Sequence, residues 1–280
     1  MDGNLDEARK FYAQNGYWLI RNALDPAEVE HYASQISEVR DDAEARGVPA
    51  AQLLEGDHSV RVRNLLGHRS SLASLVDHPG FFPILLDLMG PYLRLVGSEG
   101  FLRSPTERPM VNFHTDGGPS MQMTRIDHAA RALQTKVQVF LSDVDEPDNG
   151  NFMFIPGSHE RLPSKTEYGC FIPEANAGID QGALPEGAVQ LEAKAGDAVV
   201  FPYSLWHAVA PNRHGRTRRS IILRYGQMWH RPFDFRLVDP AGYGDLTERQ
   251  RRILGDIDED AFNQWYKPNN QIEVMTGVAN

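Results

Sequence analysis

His114 and Asp116 stand one residue apart in Val111-Asn-Phe-His-Thr-Asp-Gly-Gly118. In a β-strand alternate residues point to the same side, so one strand end would aim an imidazole and a carboxylate into the same space. Two such groups are most of a metal site. Two histidines and one carboxylate on one face of a metal leave the opposite positions open, which suits a non-haem Fe(II) oxygenase. A His-x-Asp pair is unspecific by itself, because most such pairs are surface polar residues. The metal reading therefore requires a second histidine and a group able to hold a co-substrate.

His159, His207, His214 and His230 lie downstream. His159 sits in the tight turn Pro156-Gly-Ser-His and reads as a turn-stabilising side chain. His214, between Arg213 and Gly215, reads as solvated. His207 follows Gly196-Asp-Ala-Val-Val-Phe201, a turn and a buried strand, and then Trp206. An unpaired imidazole is costly to bury on an apolar strand. His207 is therefore either a satisfied core residue or the missing ligand. Further on, Arg218 and Ser220 share a face of Arg218-Arg-Ser-Ile-Ile-Leu-Arg-Tyr225. A buried guanidinium needs a carboxylate or phosphate, and its fork grips a carboxylate in two places. With a serine hydroxyl beside it, the pair can hold the far carboxylate of 2-oxoglutarate while the keto-acid end chelates the metal. The other reading is a charged edge of a surface strand. Of Arg218, Arg219 and Arg224, at least one is expected to be exposed.

These residues need a scaffold of short strands. From Leu93 onward the pattern predicts strands at 93–102, 110–114, 134–142, 151–155, 188–193, 197–202, 205–210 and 217–226, separated by Gly, Pro, Asp and Asn. Such spacing points to an all-β sandwich or closed barrel. Before it, a helix over 5–14 ends at Gly16, and a strand follows over 17–22. Asp25-Pro26 with Glu28 starts a second helix that runs to about Arg46 and stops at Gly47-Val-Pro49. Ser59-Val-Arg-Val-Arg-Asn64 alternates as a strand with Arg61 and Arg63 on one side. Residues 70–89 read as helical with a break near His78-Pro79. Residues 160–187 read as a lid or binding loop, Leu246–Leu254 as a charged helix, and the tail after Trp265 as irregular. The expected organisation is one domain over 1–280: a helical region 1–92 packed on a β-barrel core 93–226, with a C-terminal extension 227–280.

Composition narrows the class. The chain has 280 residues and a formal net charge of −10, which argues against nucleic acid or an anionic membrane as the main partner. The single cysteine, Cys170, excludes an intrachain disulfide and fits a reducing cytoplasm. The acidic opening lacks the basic start of a signal peptide, and no apolar run is long enough to span a membrane, so a cytoplasmic location is expected. The partner is expected to be a small-molecule substrate. No Gly-x-Ser-x-Gly elbow or Walker loop is present.

Taken together, His114-x-Asp116, Asp143-Val-Asp-Glu-Pro-Asp-Asn-Gly150, Pro156-Gly-Ser-His159, Gly196-Asp197, His207, Asn212 and Arg218 resemble the phytanoyl-CoA dioxygenase family. The opening Phe11-Tyr-Ala-Gln-Asn-Gly-Tyr-Trp-Leu-Ile-Arg-Asn-Ala-Leu-Asp-Pro26 is also similar to the family's first helix and strand, and the resemblance covers about residues 8 to 226. Ten positions separate Asp197 from His207 and eleven separate His207 from Arg218, as in the family. The resemblance implies a double-stranded β-helix (jelly-roll, cupin-like) core with flanking helices. It implies Fe(II) held by His114, Asp116 and His207, with 2-oxoglutarate anchored by Arg218. Ser220 stands where related oxygenases carry an Arg-x-Ser pair, and Arg61 falls near a basic position that touches the co-substrate. O2 and 2-oxoglutarate would be consumed, succinate and CO2 released, and an unactivated C–H bond oxidised. Family halogenases replace the carboxylate ligand with a small residue; Asp116 is intact, which implies hydroxylation or a related oxidation. The competing classes are a zinc-dependent hydrolase or isomerase on the same three ligands, and a non-catalytic ligand-binding barrel. The substrate is expected to be a small or medium polar metabolite. Pocket walls are expected from 59–64, 93–102, 117–128 and 160–187; Glu99 is a candidate to face a cationic group and Arg63 or Arg125 an anionic one, against the commoner reading of each as a solvated or paired charge.

Overall fold

Residues alternate in character along the central strands, and the two faces they create have different fates. A computed structural model describes residues 2–45, 59–116, 133–161, 171–179, 182–232, 243–257 and 264–278. In chain order the elements are α1 (Asp2–Asn15), β1 (Trp18–Ile20), α2 (Pro26–Ala45), β2 (Ser59–Arg63), α3 (Leu65–His68), a 3-10 helix (Ser70–Asp77) and α4 (Phe82–Met89). Then come β3 (Leu93–Arg103), β4 (Val111–His114), β5 (Gln134–Phe140), β6 (Phe152–Phe154), a 3-10 turn (Ser158–Glu160), α5 (Pro173–Asn176) and β7 (Val189–Gln190). The chain continues through β8 (Ala198–Pro202), β9 (His207–Val209), β10 (Arg218–Gln227), α6 (Glu248–Leu254) and α7 (Gln271–Thr276).

The strands form two antiparallel sheets, a six-stranded one in the order β1-β8-β5-β10-β3-β2 and a four-stranded one in the order β4-β9-β6-β7. This is the jelly-roll arrangement expected. On the larger sheet, Leu95, Leu102, Val137, Val139, Ala198, Val200, Ile221 and Leu223 face outward. They bury against helix residues such as Tyr32, Ile36, Leu72, Phe81 and Leu85. Each fully buried aliphatic side chain contributes roughly 1.5–3 kcal/mol through lost water contact. On the opposite face, Phe140, Val199 and Phe201 meet Phe152, Phe154 and Leu191 of the smaller sheet. The rest of that inner face is polar: register places Arg103 beside Arg218, Phe101 beside Ser220, and Lys136 beside Arg224.

Two sequence signals hold this frame. Asp25 and Glu28 exchange hydrogen bonds with each other's backbone N–H, 2.9 and 2.8 Å, which starts α2 as predicted. Asp197 accepts from Asn22 N, Lys194 N and the Arg21 guanidinium, which fixes β1 to β8. Gly196 beside it has φ +94°, and a Cβ there would stand 2.7 Å from Leu24 O, so only glycine fits the turn.

The helical reading of 70–89 holds, with 70–77 as a 3-10 helix, a break at His78 and an α-helix over Phe82–Met89. Two expectations change. The tail after Trp265 is not irregular: α7 forms over Gln271–Thr276, with Gln271 donating to Pro91 O at 2.8 Å. The last charged helix begins at Glu248 because Thr247 and Gln250 make a reciprocal capping box. Gly47-Val-Pro49 lies outside the described residues. Among the described residues no single helix is long and apolar enough to cross a membrane.

Candidate metal centre

The two sheets bring three side chains to one point. His114 ends β4, His207 begins β9, and the strands pair with those two residues opposite each other. Asp116 follows β4, held by its N–H to Tyr203 O at 2.9 Å. One potential ligand atom from each of His114, Asp116 and His207 lies within 4.8 Å of the others. His114 Nε2 is 3.9 Å from Asp116 Oδ1, His207 Nε2 is 3.4 Å from Asp116 Oδ2, and the two imidazole centroids are 4.2 Å apart.

Main-chain contacts orient both rings. Nδ1 of His114 is 2.9 Å from Asn112 O, and Nδ1 of His207 is 2.8 Å from Leu205 O. A carbonyl can only accept, so each Nδ1 carries the proton and each Nε2 presents a lone pair to the centre. Phe152 and Phe201 flank the His207 ring at 5.6 and 5.2 Å. Burial pushes the His207 imidazolium down to about 3, with His114 next in effect, so the ring is neutral and able to ligate. Burial alone would raise Asp116. The ammonium of Lys136, followed in effect by the neighbouring His207, Arg224 and His114 side chains, outweighs it and holds the carboxyl well below the usual range. Two imidazoles, that of His207 neutral, and an ionised carboxylate match the donor set of a divalent transition metal.

Lys136 was not singled out from sequence. It sits in the middle of the fully buried β5 and places its ammonium against Asp116 Oδ2. Burial, then Arg224, lowers it to about 8, against the pull of Asp116 and Glu99. A lysine inside Gln134-Thr-Lys-Val-Gln-Val-Phe140 is the available signal, since a strand buried on both faces keeps a charge only with a partner.

The predicted co-substrate residues lie on the same inner face. Arg218 is 2% exposed, with its guanidinium carbon 5.7 Å from the Phe140 ring centroid. Ser220 is fully buried, and its hydroxyl makes no hydrogen bond among the described residues. A carboxylate placed there would satisfy it. The expectation of an exposed arginine in this strand is not met: Arg218 is buried, while Arg219 and Arg224 are half-buried. Arg224 donates to Glu99 Oε2, and Arg61 reaches Glu99 Oε1 from Nε at 2.6 Å and also from a terminal nitrogen. Glu99 is 1% exposed and holds these two arginines of its own chain, so of its two readings the paired charge is the one the structure has, and not a contact to a cationic substrate group. Arg224, then Arg61, holds it below the usual carboxylate range against the opposing effect of burial. Arg63 is exposed at the end of β2. Arg125, Cys170 and the segment 117–128 lie outside the described residues. His159 is a turn residue, 3.1 Å from Ala13 O, and His214 is 2.9 Å from Pro147 O.

At the mouth, Phe171 is 54% exposed and its ring lies 6.2 Å from that of His114. Asn176 accepts from Phe113 N at 2.7 Å and donates to Phe113 O at 2.8 Å, which stitches this segment alongside β4.

Residues 12–220 match the profile of the phytanoyl-CoA dioxygenase (PhyH) family. The chain belongs to that family. Membership makes this phytanoyl-CoA dioxygenase relative a 2-oxoglutarate-dependent dioxygenase, an enzyme of iron, 2-oxoglutarate and O2. Dioxygenase cdmA of Talaromyces verruculosus is 21% identical over 278 residues, covering 95% of this chain and 88% of that protein. HygX from Streptomyces hygroscopicus, solved with nickel, 2-oxoglutarate and hygromycin B, has a TM-score of 0.64 at 18% identity over 81% of this chain and 89% of its own. The epimerase SnoN, in complex with Fe3+, alpha ketoglutarate and nogalamycin RO, has a TM-score of 0.60 at 21% identity over 89% and 92%. These likenesses establish the fold of this family member.

Proposed function

We propose that the protein hydroxylates, or otherwise oxidises, an unactivated C–H bond of a small or medium polar organic metabolite. In this reading His114, Asp116 and His207 hold the iron. Arg218 and Ser220 hold the far carboxylate of 2-oxoglutarate. The observation that carries it is the convergence of two imidazole Nε2 atoms, both freed by main-chain bonds at Nδ1, on one buried carboxylate.

The bound metal supplies the coupling of O2 reduction and 2-oxoglutarate decarboxylation, to succinate and CO2, with C–H oxidation. The chain's own residues bind and orient. The fork of Arg218 matches a carboxylate, and the Ser220 hydroxyl adds a hydrogen bond. Phe140, Phe152 and Phe201 line the inner face and exclude water. Phe171 presents an apolar platform next to His114, suited to the carbon skeleton of a substrate. The natural products bound to HygX and SnoN support a substrate from biosynthetic metabolism. The lone cysteine supports a reducing, cytoplasmic setting, and we read the chain as one domain. A zinc hydrolase on the same triad would leave the buried Arg218–Ser220 pair without work.

Anaerobic addition of Fe(II) and 2-oxoglutarate tests this. Wild type should develop a visible metal-to-ligand charge-transfer band, His207→Ala should lack it, and Arg218→Ala should need far more 2-oxoglutarate. A folded wild type that develops no band and retains zinc would refute the oxygenase reading.

A further inference from the structure

The smaller sheet and the Asp116 turn supply all three candidate ligands, yet the larger sheet also reaches the centre, through Lys136. Its register partners are Arg224 on β10 and Phe201 on β8. Its side chain is 4% exposed and its ammonium lies 5.7 Å from the Phe201 ring centroid, the ring that also packs on His207. The other buried carboxylate of this face, Glu99, is engaged through one oxygen by Arg61 and through the other by Arg224. Among the described residues, Asp116 is the carboxylate within ion-pair distance of Lys136, which sits on Oδ2.

A carboxylate with an ammonium on one oxygen is not an ordinary metal ligand. The ammonium is ion-paired with that oxygen, competes with a metal for it and withdraws charge from the carboxylate. A dication entering between the two Nε2 atoms must share the carboxylate with Lys136, and it feels the ammonium's repulsion across a buried site of low dielectric. The number of ligand atoms matters too. In an octahedral centre, two imidazoles and one carboxylate oxygen leave three positions. The keto acid takes two and O2 needs the third. A carboxylate gripping through both oxygens would close that third position.

Resting on the metal-site reading above, we propose that Lys136 is a positioning residue of the centre. It restricts Asp116 to ligation through one oxygen and lowers the affinity of the site for a divalent metal.

The test is titration of metal-free protein with Co(II) under argon, following visible d–d absorption, for wild type, Lys136→Met, Lys136→Gln and Lys136→Arg. Lys136→Met should bind Co(II) more tightly by about 10- to 100-fold, the size usual for partners of metal ligands. Its absorption should also weaken as the second oxygen joins. Lys136→Gln keeps a hydrogen bond to Asp116 without the charge, so it should bind tightly with the wild-type spectrum. Lys136→Arg should retain both wild-type properties. Thermal unfolding identifies the folded variants, and if Lys136→Met does not fold, Lys136→Gln decides. Binding in the neutral variants that equals wild type, or is weaker, overturns the proposal and leaves Lys136 as a prop for Asp116. A wild type that binds no Co(II) overturns this proposal and the metal-site reading together, so the two failures are distinguishable.

Discussion

At this centre main-chain carbonyls, not acidic side chains, orient the two imidazoles, so substitutions nearby divide by what they touch. In the proposed function Arg218 and Ser220 hold the co-substrate. Removing one partner of a buried charged contact costs roughly 2–5 kcal/mol, and about 1.4 kcal/mol is a factor of ten in affinity. Arg218→Ala should therefore weaken 2-oxoglutarate binding by about 30-fold or more. Arg218→Lys should recover only part of it, because a point charge replaces a two-pronged fork. Ser220→Ala should cost about 1 kcal/mol. Calorimetric titration of 2-oxoglutarate into the Fe(II) protein under argon measures all three, and unchanged affinity in Ser220→Ala would remove that hydroxyl from the site. Glu99 acts on stability instead. It joins Arg61 from β2 to Arg224 from β10, so Glu99→Gln removes the buried charge that both guanidinium groups share. A loss of roughly 3–5 kcal/mol is expected from breaking such a buried cluster, read by urea unfolding of the metal-free protein.

Elements position these residues, and their boundaries explain what the sequence does and does not disclose. The segment that carries Phe171 is held to β4 by a main-chain bridge, with Ile172 N donating to Phe113 O at 3.0 Å, and by Asn176, whose amide bonds both polar groups of Phe113. Asn176→Ala takes the acceptor from Phe113 N and leaves Phe113 O with the Ile172 N–H, one residue from His114. It should lower the yield of hydroxylated product per succinate released without unfolding the protein, and mass balance of the two products checks this. The eight core strands are legible because Gly, Pro, Asp and Asn punctuate runs that alternate, and alternation is what a two-faced strand requires. His114, Asp116, His207 and Arg218 are legible because their spacing is fixed by those strands. Which residues share the inner face is another matter. Lys136 is opposite Arg224, and Glu99 is joined to Arg61 and Arg224, only once register pairs β5, β10, β3 and β2, and register is a long-range property. That is why three arginines on β10 looked too many to cover, while the folded sheet leaves none of them fully exposed. The short α7 is not legible in the sequence because Gln271–Thr276 spans under two turns and starts at Asn270 with φ 54°, so the tertiary contact of Gln271 with Pro91 decides it.

The whole molecule carries a net charge of −10, yet it buries neutral histidines, and this combination sets its response to acid. Burial lowers His207 to about 3 and also lowers His159 and His230 below their ordinary value. A histidine whose folded pKa is depressed is protonated first in the unfolded chain. Its stabilising effect is complete above about 6.5 and is lost as pH falls toward the folded value. For His207 alone, the drop from pH 6.5 to 5 amounts to about 2 kcal/mol. Asp116 adds to the loss in stronger acid, because its depressed carboxyl stabilises the fold above about 3.9 and ceases to do so as pH falls below that. A divalent metal on the three ligands opposes this, since it binds only the folded, deprotonated site, and at a hundred times its dissociation constant it adds about 2.7 kcal/mol. Metal-free wild type should therefore lose stability between pH 7 and pH 5, as read by urea midpoints. Wild type with excess Zn(II) should lie above it at pH 7 by a margin that narrows toward pH 5, because protons and metal compete for the same imidazoles. In His207→Gln the acid slope should flatten and the zinc increment should fall. If that variant keeps the full wild-type slope, the acid sensitivity originates elsewhere in the fold and His207 is not the group that links protons to metal.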